Sequence, residues 1–120
     1  MKKILVVNDE SDIWLTLANV LEDNRFVVHK FDDPLLALKN FRKEYYDLLI
    51  LDIKMDKMSG LELYEEIKKI DNNVKVCFLT ASKFNYKAFI EVLSDLKENQ
   101  IIQKPIRNEE LIKIINDIIN

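Results

Sequence analysis

The 120 residues include a single glycine, a single cysteine, a single histidine and two prolines. Each scarcity removes a class of chemistry. One glycine, Gly60, cannot build a glycine-rich phosphate loop, so neither the dinucleotide fingerprint nor the P-loop is present. One cysteine, Cys77, makes no internal disulfide and no zinc cluster, which fits a reducing compartment. One histidine, His29, removes most histidine-based chemistry. Basic charge is not in excess either: 18 Lys and Arg stand against 21 Asp and Glu, a formal charge of −3. With no basic patch to release counterions, direct contact with nucleic acid is not expected. The apolar runs are too short to span a bilayer, and Met1-Lys2-Lys3 leads into a strand-like run with no cleavage site. A cytoplasmic α/β domain without a membrane partner is the expectation.

What is present is a rhythm. Four short apolar runs, Ile4–Val7, Phe26–Val28, Leu48–Leu51 and Val74–Leu79, are followed by a weaker fifth, Ile101-Ile102. Short β-branched runs of this kind suit strands buried on both faces. Between them lie segments of helical period. Ile13, Trp14, Leu17, Ala18, Val20 and Leu21 form the first stripe. Leu35, Leu38 and Phe41 follow Asp33-Pro34, an N-cap with proline at the first helical position. Leu61, Tyr64, Ile67 and Ile70 mark a third helix, and Phe84, Ala88, Phe89, Val92 and Leu96 a fourth. The last carries Leu111, Ile114, Ile115 and Ile118, with Ile112 and Ile119 as further apolar surface, open to a partner contact or, as the simpler reading, to core packing. Five alternations predict a parallel sheet with right-handed crossovers and helices on both faces. No linker or repeat interrupts residues 1–120, which read as one domain.

In such a sheet, ligands bind outside the carboxyl ends of the strands. The residues expected there are Asn8, Asp9 and Glu10 after the first strand, Asp52 after the third, Thr80 after the fourth and Lys104-Pro105 after the fifth. Asp9 and Asp52 are hard oxygen ligands suited to Mg²⁺, which takes one or two carboxylates plus waters and phosphate oxygens. Asp52 is also a nucleophile able to form an aspartyl phosphate. Lys104 supplies a point charge and Thr80 a hydroxyl donor to phosphoryl oxygens. The set matches the demands of phosphoryl transfer, which are positioning and charge neutralisation.

Five segments in order, Ile4–Glu10, Asp47–Ile53, Met58–Leu63, Leu79–Ala81 and Lys104–Ile106, resemble the receiver domain of two-component response regulators. The resemblance spans the chain. It implies a flavodoxin-like sheet of strand order 2-1-3-4-5 and transfer of a phosphoryl group from a histidine kinase phosphohistidine, or a phosphotransfer protein, to Asp52. By the same resemblance Asp9, Asp52 and the backbone carbonyl of Lys54 bind Mg²⁺, with Asn8 acting through metal-bound water, while Thr80 and Lys104 read the phosphorylated state. The receiver catalyses only its own phosphorylation and dephosphorylation and is otherwise not an enzyme. The implied partner downstream is a protein target or an output domain, and no output domain is expected within residues 1–120. A second copy of the chain is a candidate partner across the fourth helical segment, the fifth strand and the final helix.

Departures from the family pattern sharpen these expectations. Asn8 replaces the first of two acidic residues, which predicts weaker Mg²⁺ binding without loss of function. Ile101 stands where the family carries its switch aromatic, so no ring rotation reports the state of Thr80. Asp56 replaces a frequent proline. Lys54 and Ser82, two beyond Asp52 and Thr80, flank the phosphate and tune its lifetime. Plainer roles compete: Asp9, Glu10 and Ser11 as first-turn acids and cap of a helix, Thr80 or Ser82 as a helix cap, Cys77 as a buried hydrophobe, His29 as a surface residue.

Asn8 and Ile101 also fit a phosphorylation-independent receiver that serves as a protein-binding module. Two enzyme and cofactor readings fail. A haloacid dehalogenase-like phosphatase needs an acid where Lys54 stands, and Asn8-Asp9-Glu10 would repel a flavin phosphate.

Overall fold

The computed structural model describes residues 1–80, 100–103 and 106–120, and within these the side chains of all but residues 11–15. Its elements are β1 (Lys3–Val7), α1 (Ser11–Asp23), β2 (Val27–Phe31), α2 (Pro34–Asn40), β3 (Leu48–Asp52), α3 (Gly60–Ile70), β4 (Lys75–Thr80), β5 (Ile101–Gln103) and α4 (Asn108–Ile119). The five strands form one parallel sheet of order β2-β1-β3-β4-β5, as expected. The expected helix over 84–96, and Lys104 with Pro105, lie outside the described residues.

Alternation along the strands divides the core in two. Leu5, Val7, Leu49, Leu51, Val76 and Phe78 pack with Ala37 of α2 and Leu63, Tyr64 and Ile67 of α3. Ile4, Val6, Leu48, Ile50, Cys77 and Leu79 pack on the opposite face with Leu17 and Leu21 of α1 and Leu111, Ile115 and Ile119 of α4. β1, β3 and most of β4 are therefore apolar on both faces, which is why they read as continuous runs.

Local chemistry sets the helix boundaries. Asp33 caps α2 by accepting the Leu35 N–H at 2.9 Å, with Pro34 at the first position, as the sequence predicts. α2 is shorter than its stripe, ending at Asn40, and its inward face is Pro34, Ala37 and Leu38. Leu35 is 47% exposed, because the buried face of so short a helix begins at the proline. α1 ends with Arg25 at φ 69°, its N–H on the Glu22 carbonyl and the Phe26 N–H on the Leu21 carbonyl. That is a Schellman termination with arginine in the place glycine prefers.

α4 absorbs its further isoleucines. Ile119 is buried in the core, and Ile112, Ile114 and Ile118 pack against it half-buried. Cys77 is fully buried in β4, and its thiol is pushed up to about 12 by that burial. His29 is no ordinary surface residue: Nδ1 sits 2.8 Å from the Tyr46 hydroxyl, and the ring packs near those of Tyr45 and Tyr46.

Candidate functional site

The interior is apolar with four exceptions among the described residues: Asn8, Asp52, Asp71 and Thr80. Three of the four lie at the carboxyl edge of the sheet. Asn8 follows β1 and is 1% exposed, Asp52 ends β3 at 5%, and Thr80 ends β4 at 7%. Buried polar side chains are costly unless they are paired or put to use, so three at one edge mark a site. That edge includes the point between β1 and β3 where the strand order reverses, the place at which open α/β sheets bind ligands. Register holds the groups in line: Val7 faces Leu51, Asp52 faces Leu79, and Thr80 faces Gln103. The ladder runs one step past β3, where the Ile53 N–H donates to the Leu79 carbonyl at 3.0 Å.

The loops above this edge are tied together by polar contacts. Asp9 is half-buried, and its Oδ2 accepts the Asp56 N–H at 3.0 Å. The cap of α1 is Glu10 with no side-chain bond; Asn8 Oδ1 accepts the Glu10 N–H at 2.8 Å instead. Asp9 thus serves the loop after β3 and not the helix start. Lys57, also in that loop, donates to Asp33 Oδ2 at 2.7 Å. This bond is the main reason the Asp33 carboxyl is held below the usual carboxylate range and the Lys57 ammonium above its own. Asp9, Asp32, Asp33, Pro34, Asp56 and Lys57 line an open cleft of about 270 Å³. Four carboxylates against one ammonium make the cleft attractive to cations.

Gly60, read in the sequence only as the lone glycine and as part of the Met58–Leu63 segment, is a site residue. Its N–H donates to the Ile53 carbonyl at 2.9 Å. A Cβ there would stand 2.2 Å from the Asp52 carbonyl oxygen. Its φ is not positive, so the need is for close approach and not for a left-handed backbone. Ser59 and Glu62 close a full capping box at the start of α3, with the Ser59 Oγ accepting the Glu62 N–H and Glu62 Oε1 accepting the Ser59 N–H. The Ser-x-x-Glu spacing signals that box in the sequence. No local signal pairs Lys57 with Asp33.

A family model for the response regulator receiver domain matches residues 4–116. This chain belongs to the receiver family. It is 29% identical to the response regulator receiver protein CpdR of Brucella abortus, over 99% of this chain and 98% of that one. It is 33% identical to a CpxR-homolog transcriptional regulatory protein of Haemophilus influenzae, and there it spans about half the relative's length, 51%. A receiver domain crystal structure from Clostridium thermocellum superposes with a TM-score of 0.84 at 30% identity, covering all of this chain and 95% of that one.

As a receiver, the chain is a signalling domain of two-component systems and not an enzyme of the ordinary kind. The structure brings Asn8, Asp9, Asp52 and Thr80 to one edge of the receiver sheet. Lys54 is exposed in the loop beyond Asp52. Lys104 and Ser82 lie outside the described residues, although Gln103, the neighbour of Lys104, ends β5 opposite Thr80. Ile101 is half-buried against the cluster that holds Phe78. Among the described residues no three His, Cys, Asp or Glu side chains converge as a ready-made metal cage, and no helix is long and apolar enough to cross a membrane.

Proposed function

We propose that Asp52 accepts a phosphoryl group from the phosphohistidine of a histidine kinase or phosphotransfer protein, and that this switches a protein-interaction surface of the receiver. The observation that carries the reading is a buried aspartate at the strand-order reversal, on the same sheet edge as buried Asn8 and Thr80. An oxygen of the Asp52 carboxylate attacks phosphorus while the P–N bond breaks, its electron pair staying on the imidazole nitrogen. Reversal to the resting state is attack by water on phosphorus. The O–P bond then breaks, giving back the carboxylate and inorganic phosphate.

The donor set fits Mg²⁺ and does not fit softer metals, since the candidate ligands Asp9, Asp52, Asn8 and the Lys54 carbonyl all offer oxygen. Asp9, Asp52 and the Lys54 carbonyl would hold the ion, with Asn8 reached through a bound water. When bound, Mg²⁺ neutralises charge on the phosphoryl oxygens and the two carboxylates. Thr80 donates its hydroxyl to a phosphoryl oxygen, and Lys104 supplies a positive charge. Lys54 and Ser82 flank the group and set how readily water reaches it.

The remaining parts of the reading concern context. Residues 1–120 act as one cytoplasmic receiver unit, without direct contact to nucleic acid or membrane. A protein target, or a second copy of the chain through the fourth helical segment, β5 and α4, is the partner this reading takes. Asn8 and Ile101 favour a second reading, a binding module that works without phosphorylation.

Intact mass after incubation with Mg²⁺ and acetyl phosphate decides between them. Gain of one phosphoryl group in wild type, lost in Asp52→Ala and on chelation of the metal, is the expected result. No gain under conditions that label another receiver overturns it in favour of the binding module.

A further inference from the structure

Of the buried side-chain nitrogens and oxygens described, Asn8 Nδ2 is the one without a hydrogen-bond partner. Its amide is not free to turn over. Oδ1 accepts the Glu10 N–H at 2.8 Å, and a backbone nitrogen can only donate, so the oxygen must face Glu10 and the nitrogen the other way. The main chain is pinned too, since the Asn8 N–H donates to the Phe31 carbonyl at 3.2 Å.

Register says what lies beside it. Val7 is paired with Leu51, so one step further along both strands Asn8 and Asp52 are neighbours across a spacing of about 4.8 Å. Val6 and Ile50 belong to the same core cluster, and alternation by two places Asn8 and Asp52 on that same face of the sheet. A buried donor with nothing to donate to therefore stands next to a buried group that, as carboxylate or as acyl phosphate, offers only acceptor oxygens.

We propose that Asn8 Nδ2, which has no partner while Asp52 is an unmodified carboxylate, donates directly to a phosphoryl oxygen once Asp52 carries the phosphoryl group. This deepens the phosphoacceptor reading and rests on it. The role is distinct from holding a metal-bound water, which would donate to Oδ1; the two use opposite ends of one amide. A carboxylate at position 8 could not do this, since it has no hydrogen to give and would place a like charge beside Asp52.

The test follows the Asn8 side-chain amide by ¹⁵N–¹H NMR in the full chain, with trifluoroberyllate as the phosphoryl mimic. Addition of Mg²⁺ with trifluoroberyllate is expected to move the Asn8 Nδ2 protons downfield and slow their exchange, and Mg²⁺ alone to leave them nearly unmoved. In parallel, Asn8→Ala is expected to slow labelling by acetyl phosphate about tenfold at saturating Mg²⁺, the loss of one charge-assisted hydrogen bond. Movement of the Ile53 and Thr80 amides with no change at Asn8 overturns the inference while leaving the acceptor in place. An equal response to Mg²⁺ alone assigns the amide to the metal's water and also overturns it. No complex and no labelled mass overturns the phosphoacceptor reading itself, and this inference with it.

Discussion

Gly60 stands against the backbone of Asp52 so closely that a single added carbon would lie 2.2 Å from the Asp52 carbonyl oxygen and 2.9 Å from its carbonyl carbon. The atoms in the way are main chain, which cannot swing aside as a side chain does. The start of α3 is thereby packed directly onto the residue proposed to carry the acceptor carboxylate. Gly60→Ala must push the end of β3 and the first turn of α3 apart. We expect a loss of about 1–3 kcal/mol in urea unfolding, the usual cost of overpacking a tight site, together with slower labelling of Asp52. Unchanged stability would mean that the contact is looser in solution.

Asp9 serves two partners in this arrangement, the Asp56 N–H seen here at 3.0 Å and the proposed metal. Two substitutions separate them. Asp9→Asn keeps an oxygen for the Asp56 N–H but loses the charge, so Mg²⁺ affinity is expected to collapse while hydrogen exchange at Asp56 stays slow. Asp9→Ala is expected to lose both. Fluorescence or calorimetric Mg²⁺ titration and amide exchange read the two effects independently; equal exchange rates in both variants would count against the latch.

Burial pushes the Cys77 thiol up to about 12 from an ordinary value of 9.0. The folded chain keeps a proton that the unfolded chain gives up, so this contribution is whole below pH 9.0 and is lost as pH rises from 9.0 toward 12. Desolvation raises the Tyr46 hydroxyl as well, in the same sense. Unfolding free energy is expected to fall above pH 9 with a slope of up to about 1.4 kcal/mol per pH unit from the thiol. In Cys77→Ala the slope should be shallower, although the starting stability is lower. Folded wild type should also resist alkylation by iodoacetamide at pH 8.

Arg25 holds φ 69° at the end of α1, a conformation in which a β-carbon crowds the following carbonyl. Glycine there relieves the crowding but loses more entropy on folding. The first effect is the larger, and Arg25→Gly is expected to stabilise by about 0.5 kcal/mol with no change in labelling at Asp52. A fall in the urea midpoint would show that the arginine side chain makes a compensating contact.

Much of this molecule is legible in its sequence because the signals are local and repeated. Apolar runs mark the central strands, Asp33-Pro34 marks the start of α2, and Ser59-x-x-Glu62 carries its own capping box. Legibility fails where a local pattern is outvoted by its surroundings. Leu35 looks like core and is exposed, because α2 offers its proline edge to the sheet. Ile119 lies beside the core stripe in sequence, and only the fold shows it buried, because the last turn of α4 still covers β4. His29 looks like an isolated surface residue until Tyr45 and Tyr46 arrive from a distant loop.

By itself the sequence determined the parallel sheet, the alternation of its strands with helices among the described residues, and Asp52 and Thr80 as the ends of β3 and β4. A period of two or of 3.6 needs only neighbours along the chain to show itself. Tertiary structure alone decided which atoms those residues present. It turned Asp9 toward Asp56, joined Lys57 to Asp33, forced Gly60 onto Asp52, and left Asn8 Nδ2 buried with a hydrogen to give. Such choices depend on hydrogen bonds and contacts between segments far apart in the chain. For Asp9 with Asp56 and Lys57 with Asp33, no short window of sequence contains both partners.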